Sequence, residues 1–526
     1  MQFLFDNHTL DTDRRELRDG SKPIAIEPQV FDLLVYLLQN RDRVVSKDDL
    51  IASVWEGRIV SDSTLTSRIN AARKALSDSG EDQRLIRTIP RKGFRFVGTV
   101  RMQPDGLESA QAAGPQGDEI HQSRSALPLP DRPAIAVLPF INMSGDPEQE
   151  YFSDGISEDI ITALSKLRWF FVIARNSSFV YKGKAVHMKQ VAEELGVGYV
   201  VEGSVRKGGD RVRITAQLID ATSGSHLWAE RYDRDLTDIF AVQDEVTTQI
   251  VGALKVTLSP AEKARLVEKE QSNIAAYDCV LRGREIMLGK DKNRETFVEA
   301  VTYFKKALEL DANYSQAYAS LGFAHMFDYQ NRWSDDPDKS LKLAREYSQK
   351  AIDNDPNEPM AHGAAALTAI FERDFDRAQA EVDRTLALNP SSALAHNLLG
   401  TIRSYSGRPL EAIPAIEQAM RLDPALSAQF LHFLGLAYLM AGKYETAAAL
   451  LRQRIILVPN TDFSRAILTS ALGHLGEVDD ARRVWGELMV INPNYSFAAH
   501  IGRQPFKREE DVERIAEGLR KAGVLA

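Results

Sequence analysis

The chain has 526 residues, of which 44% are hydrophobic, 8% aromatic and 26% charged; this excludes a disordered or fibrous chain, and the length exceeds one ordinary core, so two to four domains are expected. A single cysteine, Cys279, excludes an intramolecular disulfide and any multi-cysteine metal or iron–sulfur site, and fits a reducing, cytoplasmic compartment. The net charge of −9 is unevenly placed: residues 1–57 carry 7 basic and 11 acidic groups, residues 58–100 carry 9 basic and 4 acidic, so one half of the first hundred residues offers a cationic face.

The opening segment MQFLFDNHTLDTDRR lacks the order of a signal peptide, and no apolar run approaches the roughly 20 residues of a spanning helix, so no membrane partner is expected. Short alternating strands are predicted at residues 3–5, 9–11, 16–18 and 23–26. Three helices follow. The first covers residues 28–39, with Pro28 at an initial position where its missing N–H costs nothing; the second covers 46–55, capped by Ser46; the third runs from the Ser61-Asp62-Ser63 cap to Leu76. A hairpin of residues 85–89 and 94–97 turns at Pro90-Arg91-Lys92-Gly93.

Along the third helix Leu65, Ile69, Ala72 and Leu76 form one buried stripe. The other face carries Thr66, Ser67, Asn70, Arg73 and Lys74, with Thr64 near its start and Arg68 at its border, a set of groups suited to base edges and phosphates in a major groove. The hairpin adds Arg87, Arg91, Lys92 and Arg95, and Gly93 lets its tip approach another backbone closely. Any one of these residues alone reads as a solvated charge. Gathered on one face and one tip, they point to double-stranded DNA.

The segments VVSKDDLIASVWEGRIVSDSTLTSRINAARKAL and IRTIPRKGFRF resemble the OmpR/PhoB-type winged helix of CadC/HilA-like transcription regulators, over essentially residues 2–98. The resemblance implies an N-terminal four-stranded sheet, recognition by the third helix, minor-groove or backbone contact by the wing, and two protomers on a direct repeat. It also implies that the loop holding Glu56, Gly57 and Arg58 can touch RNA polymerase. Ala71 and Ala72 stand where many members have Arg and Leu, so base readout does not carry over. The family's receiver domain is not expected, no stretch preceding residue 1 to hold it.

Residues 101–132, rich in Pro, Gly, Ser and Gln, read as a flexible linker. Residues 133–258 read as an α/β domain: strands at 134–140, 171–174, 199–206, 212–220 and 226–232, helices at 156–167, 186–195 and 239–254. Its segments LPFINMSGDPEQEYFSDGISEDI and LGVGYVVEGSVRK resemble the TolB amino-terminal and FlgO-like group, from which no reaction follows. Gly196, Gly198 and Gly203 are mis-spaced for a dinucleotide loop, His187 and His226 have no partner at ligand spacing, and Asp154, Glu158 and Asp159 read as carboxylates at a helix start. No metal and no cofactor is expected.

Residues 259–526 carry six alanines in register, Ala300, Ala344, Ala378, Ala412, Ala447 and Ala481, with a proline twelve residues after each of the last five and Ala312 at the same place after the first. This 34-residue period resembles the tetratricopeptide repeat, whose stacked helix pairs offer a concave surface for a protein or peptide. The wider first interval predicts about ten extra residues within 328–340 as a longer loop, and residues 509–522 are expected to cap the stack.

The fold class expected is therefore multidomain α+β: winged helix-turn-helix, TolB-N-like α/β domain, all-α solenoid. The function expected is a sequence-specific bacterial transcription regulator whose array binds a protein partner or effector; the alternative is an interaction scaffold whose winged helix does not bind DNA. Related regions occur attached to nucleotide cyclases, but no length is spare for a cyclase domain, so neither catalytic residues nor an enzyme is expected.

Overall fold

A computed structural model of the chain describes residues 2–103, apart from 6–7, 12–15, 20–21, 25, 27, 42–43, 55–61, 77, 79–82, 90–91 and 99; residues 129–258, apart from 185 and 257; and residues 273–525, apart from 290–291. Met1–Ile120 and His121–Ala526 are separate compact units. The predicted linker falls largely on residues 104–128, outside the described residues.

In the first unit β1 (Gln2–Phe5), β2 (His8–Asp11), β3 (Glu16–Asp19) and β4 (Lys22–Ile24) form an antiparallel meander. Three helices follow, α1 (Pro28–Gln39), α2 (Lys47–Val54) and α3 (Asp62–Ala75), then the hairpin β5 (Ile86–Ile89) and β6 (Gly93–Phe96). The sheet has five strands where four were expected, because β7 (Val100–Gln103) returns to pair antiparallel with β1, in the order β4-β3-β2-β1-β7. The first three linker residues thus belong to the sheet. Leu33, Leu34, Leu37 and Leu38 of α1 are fully buried against Phe3, Leu65, Ile69 and Phe96; the apolar stripes of α1 and α3 face each other, as their spacing requires.

The second unit begins with a mixed sheet. β8 (Ala134–Val137), β10 (Phe171–Val172) and β11 (Tyr199–Gly208) run parallel, the two-residue β9 (Ile141–Asn142) also pairs with β11, and β12 (Arg211–Asp220) and β13 (Ser225–Asp235) continue antiparallel. Alternate residues of β8 point to opposite faces: Ile135 and Val137 toward α4 (Glu150–Ser165) and α7 (Ile239–Ala253), Ala134 and Ala136 toward α6 (Met188–Leu195). A four-residue helix, α5 (Arg175–Ser178), sits beyond β10. The helix α4 starts at Glu150, before its predicted start at 156, so Asp154, Glu158 and Asp159 are not at a helix start. Asp154 instead meets Lys182 at 2.6 Å, and Glu158 meets Arg175 at 3.1 Å.

The array follows as antiparallel helix pairs: α8 (Ile274–Leu288) with α9 (Arg294–Leu310), α10 (Ser315–Asn331) with α11 (Pro337–Asn354), α12 (Pro359–Phe371) with α13 (Phe375–Leu388), α14 (Ala393–Tyr405) with α15 (Pro409–Leu422), α16 (Ser427–Met440) with α17 (Tyr444–Leu457), and α18 (Phe463–Leu475) with α19 (Val478–Ile491). All six registered alanines are fully buried. The ten extra residues do not form a long loop. Compared with α12 and α13, α10 and α11 are each longer by four residues and their connection by two. Buried Asp328 holds that connection by accepting from the Ser334 amide at 2.7 Å and hydroxyl at 2.6 Å and from the Ser340 hydroxyl.

A short helix, α20 (Phe497–Ile501), leads to α21 (Glu509–Lys521), which packs on α18 with backbone against backbone: a Cβ on Gly473 would stand 1.9 Å from the Gly518 carbonyl oxygen. Gly473→Ala is expected to cost about 1–3 kcal/mol through this overlap, read as earlier thermal unfolding and faster amide exchange in α21 than in α12.

The middle domain is seated on the array at two places. At the first, Tyr277 and Leu281 of α8 join the core beneath α4, with the Tyr277 hydroxyl and the Gln243 amide both donating to Asp159. At the second, Ala174 N donates to Leu422 O at 2.9 Å, the Ser177 hydroxyl to Asp423 at 2.6 Å, the Asn176 amide to Asp423 at 2.9 Å, and Arg421 to the Leu195 and Gly196 carbonyls at 2.8 and 2.7 Å. Burial pushes the Asp159 carboxyl up to about 6, with Glu158 adding to the rise and Tyr277, Arg284 and Gln243 opposing it. Below about 6 and above the ordinary value of 3.8, the native group holds a proton that the unfolded chain releases, so its contribution to stability falls as pH rises through that window. Thermal unfolding of the full chain should therefore shift down between about pH 4 and pH 6, and Asp159→Asn should remove that part of the shift.

Candidate nucleic-acid interface

The helix α3 presents the face expected of it. Leu65, Ile69, Ala72 and Leu76 are buried, while Thr66, Ser67, Asn70 and Lys74 are exposed and Arg68 is half-buried. Thr64 lies in the first turn of α3, with its side chain outside the described residues. At the start of α2 the Ser46 hydroxyl accepts from Asp49 N at 3.1 Å and Asp49 accepts from Ser46 N at 3.2 Å, a reciprocal cap that fixes the entry of the helix preceding α3.

Arg73 departs from the sequence reading. It is 6% exposed, and its guanidinium donates twice to the Ile86 carbonyl, at 3.1 and 2.9 Å, and to the Thr88 hydroxyl at 2.8 Å. Its position, next to Ala72 and one turn beyond Ile69, places it at the edge of the buried stripe beside β5, within reach of the wing and away from solvent. Burial pulls its pKa down, and the neighbouring Asp78 carboxylate opposes that. Arg73 is therefore a positioning residue that joins α3 to the wing, and it leaves the set expected to face DNA.

The wing is built on a second element that sequence reasoning passed over. The buried Asp78 carboxylate accepts from the amides of Arg84, Leu85 and Ile86 at 2.9, 3.0 and 3.0 Å, gathering the chain into the start of β5. Its signal, an aspartate just past a helix end, could have been read as a local turn former. At the tip, Gly93 has φ +135°, and a Cβ there would lie 2.0 Å from the Val45 carbonyl oxygen. The approach is needed because Val45 and Phe94 exchange two backbone hydrogen bonds of 2.8 Å, tying the wing to the segment before α2.

On the outer face Arg87 and Arg95 are direct cross-strand partners, both exposed, with Arg95 also donating to the Arg41 carbonyl at 3.1 Å. Like charges placed directly opposite one another destabilise a hairpin in isolation, so the arrangement suits an anion that lies across both. Lys92 at the tip is exposed as well. Arg91 of the wing, and Glu56, Gly57 and Arg58 of the expected polymerase loop, lie outside the described residues. Among the described residues no group of three or more His, Cys, Asp or Glu side chains is arranged to hold a metal, and no helix is long and apolar enough to cross a membrane. Cys279 is buried in α8.

Arg73→Ala strands the buried Ile86 carbonyl, and the expected cost is about 1–3 kcal/mol of winged-helix stability. Urea unfolding of the first unit should shift while the preference among DNA sequences stays the same; altered base preference without a stability loss would return Arg73 to the reading face.

Residues 21–96 match the family described as transcriptional regulatory protein, C terminal; residues 131–249 match the HilA/YgeH-like transcriptional regulator second domain; and residues 364–403 and 400–460 match the tetratricopeptide repeat. A Rhizobium meliloti (strain 1021) protein provisionally named adenylate cyclase 3 is 50% identical over 251 residues, 48% of this chain and 42% of that relative. This chain therefore spans under half of that relative's length. The transcriptional regulator HilA of Salmonella typhi is 22% identical over 453 residues, 84% of this chain and 74% of its own. The transcriptional activator CadC of Escherichia coli (strain K12) is 31% identical over 137 residues, 26% of this chain and 25% of its own. Among solved structures, the Klebsiella pneumoniae RstA DNA-binding domain in complex with the RstA box is 25% identical, covers 18% of this chain and 95% of that domain, with a TM-score of 0.17. The chain thus combines an OmpR/PhoB-type winged helix, a HilA-like second domain and tetratricopeptide repeats in the order read from the sequence.

Proposed function

We propose that this chain is a sequence-specific DNA-binding transcription regulator of the bacterial cytoplasm, with its winged helix on promoter DNA and its array engaging a protein partner. The observation that carries the DNA reading is the exposed Arg87–Arg95 pair on a wing locked to α3 through Arg73. In this reading Thr66, Ser67 and Asn70 face base edges, with Thr64 and Arg68 beside them, and Lys74, Arg87, Arg91, Lys92 and Arg95 meet phosphates or the minor groove. The loop of Glu56, Gly57 and Arg58 contacts RNA polymerase, and two protomers occupy one site.

The cyclase name belongs to a relative of which this chain spans 42%, and the reading adopted here is non-enzymatic, with no cofactor. It is supported by the winged-helix, HilA-like and repeat matches. Metal-dependent product in a nucleotide turnover assay would overturn it.

The test is binding of the full chain to genomic fragments at increasing salt, beside Arg87→Ala and Lys92→Ala. A few promoter fragments should be enriched, and each substitution should weaken binding across sequences and lower the salt slope by about one. Weak binding indifferent to salt would leave the winged helix as a scaffold element.

A further inference from the structure

The middle domain does not fill the concave side of the array. Between them lies a cavity of about 1200 Å³, bounded by three walls. The inner helices α8, α10, α12, α14 and α16 form its floor. The middle domain closes the side at the N-terminal ends of α14 and α16, where Ser391 donates to the Phe170 carbonyl and Asp423 receives Ser177. The segment after α20 crosses the opposite side, where inner helices end: Arg373 donates to the Gly502 and Gln504 carbonyls, the Tyr405 hydroxyl to the Gln504 side chain at 3.0 Å, and Lys507 N to the Tyr405 carbonyl at 2.9 Å.

The lining has a charge and a texture of its own. In a chain of net charge −9, the cavity carries six cations, Arg175, Arg284, Lys292, Arg332, Arg373 and Arg503, against three carboxylates. Two of those carboxylates are engaged within the protein: Glu158 lies between Arg175 at 3.1 Å and Arg284 at 3.7 Å, and Asp423 is held by Asn176 and Ser177. Lys292, Arg332 and Arg503 have no carboxylate within ion-pair distance among the described residues. Arg332 and Arg503 stand together at the end where a second pocket of about 230 Å³ adjoins.

Along the floor the large apolar side chains Leu288, Phe327 and Leu394 are 45%, 39% and 43% exposed, beside Phe323 and Phe433. Asn397 of α14 lies among them, only 7% exposed, and its Oδ1 has no hydrogen-bond partner. A buried amide oxygen without a partner costs free energy unless a donor arrives. Ser320, Gln330 and Gln429 add further donors and acceptors to the lining. An alkyl chain would leave these amides unmet, whereas the peptide backbone presents an N–H and a C=O at each residue.

We infer that this cavity binds an extended peptide segment with acidic and apolar side chains, its carboxylates at Arg332 and Arg503, its apolar side chains over Phe327 and Leu394, and its backbone bonded to Asn397. The inference rests on the array-partner part of the proposed function and adds the site and the chemistry. The middle domain forms one wall, so the bound peptide contacts both halves of the second unit.

The test is selection of phage-displayed random twelve-residue peptides on the full chain, followed by fluorescence anisotropy of the enriched peptides against Arg503→Glu and Leu394→Glu. Both side chains are exposed, and unchanged thermal unfolding and promoter binding would verify each variant's fold. Enriched peptides combining acidic and apolar residues, weakened at least about tenfold by either variant, are the expected result. Enriched peptides unaffected by both variants would overturn the cavity while leaving the array as a partner surface. No enrichment, enrichment of basic peptides, or Arg503-dependent binding of decanoate without any peptide would overturn the inference as well.

Discussion

Each helix pair of the array buries one registered alanine completely, Ala300, Ala344, Ala378, Ala412, Ala447 or Ala481, so nothing larger than a methyl group is accommodated there without displacing the helices. Stacked pairs compound such a displacement, so any change at one crossing is carried into the path of those after it. The seats of the middle domain depend on that path. Leu422 and Asp423 meet α5 and Ala174 before it through hydrogen bonds of 2.6 to 2.9 Å, which a shift of about 1 Å would break. The closure near Tyr405 likewise requires that residues 502–507 arrive beside α14.

The middle domain is dressed on both faces of its sheet. Tyr277 and Leu281 extend the core under α4 and α7, while Ala393 and Leu422 complete the core on the side of α6. It is thus clasped by two distant parts of one superhelix, and shares a compact unit with the array. Part of the concave side of the array is occupied by the middle domain and part is open as a cavity.

What the sequence disclosed and what it withheld divide along the range of the interactions involved. The stripe of Leu65, Ile69, Ala72 and Leu76 and the register of six alanines are periodic, so they were legible without a structure. Arg73 was not, because its burial depends on where β5 runs, thirteen residues later. The strand β7 is four residues long and leads into a Pro- and Gly-rich stretch, and only its distant pairing with β1 makes it a strand. The early turns of α4 contain Asp154-Gly155, which reads as a turn, yet Gly155 is helical and a Cβ there would lie 2.4 Å from Leu281 of α8. The added length in α10 and α11 was assigned to a loop since a polar segment can extend a helix surface as readily as a connection. In the set expected to face DNA, residue chemistry was legible, and among the described residues orientation failed at Arg73.

The contact of α18 with α21 also bears on how such an array can change in length. Repeat proteins grow by tandem duplication, and a new unit must offer the same stacking surface on both sides. Here the last inner helix meets α21 through Gly473 and Gly518, a glycine-to-glycine contact with no counterpart among the described residues of the earlier pairs. A unit inserted between α18 and α21 would have to recreate the glycine contact, and one inserted between α8 and α16 would part the two places where the middle domain is held. In evolutionary terms the number of repeats is held by what leans on them, the middle domain within the array and α21 after it.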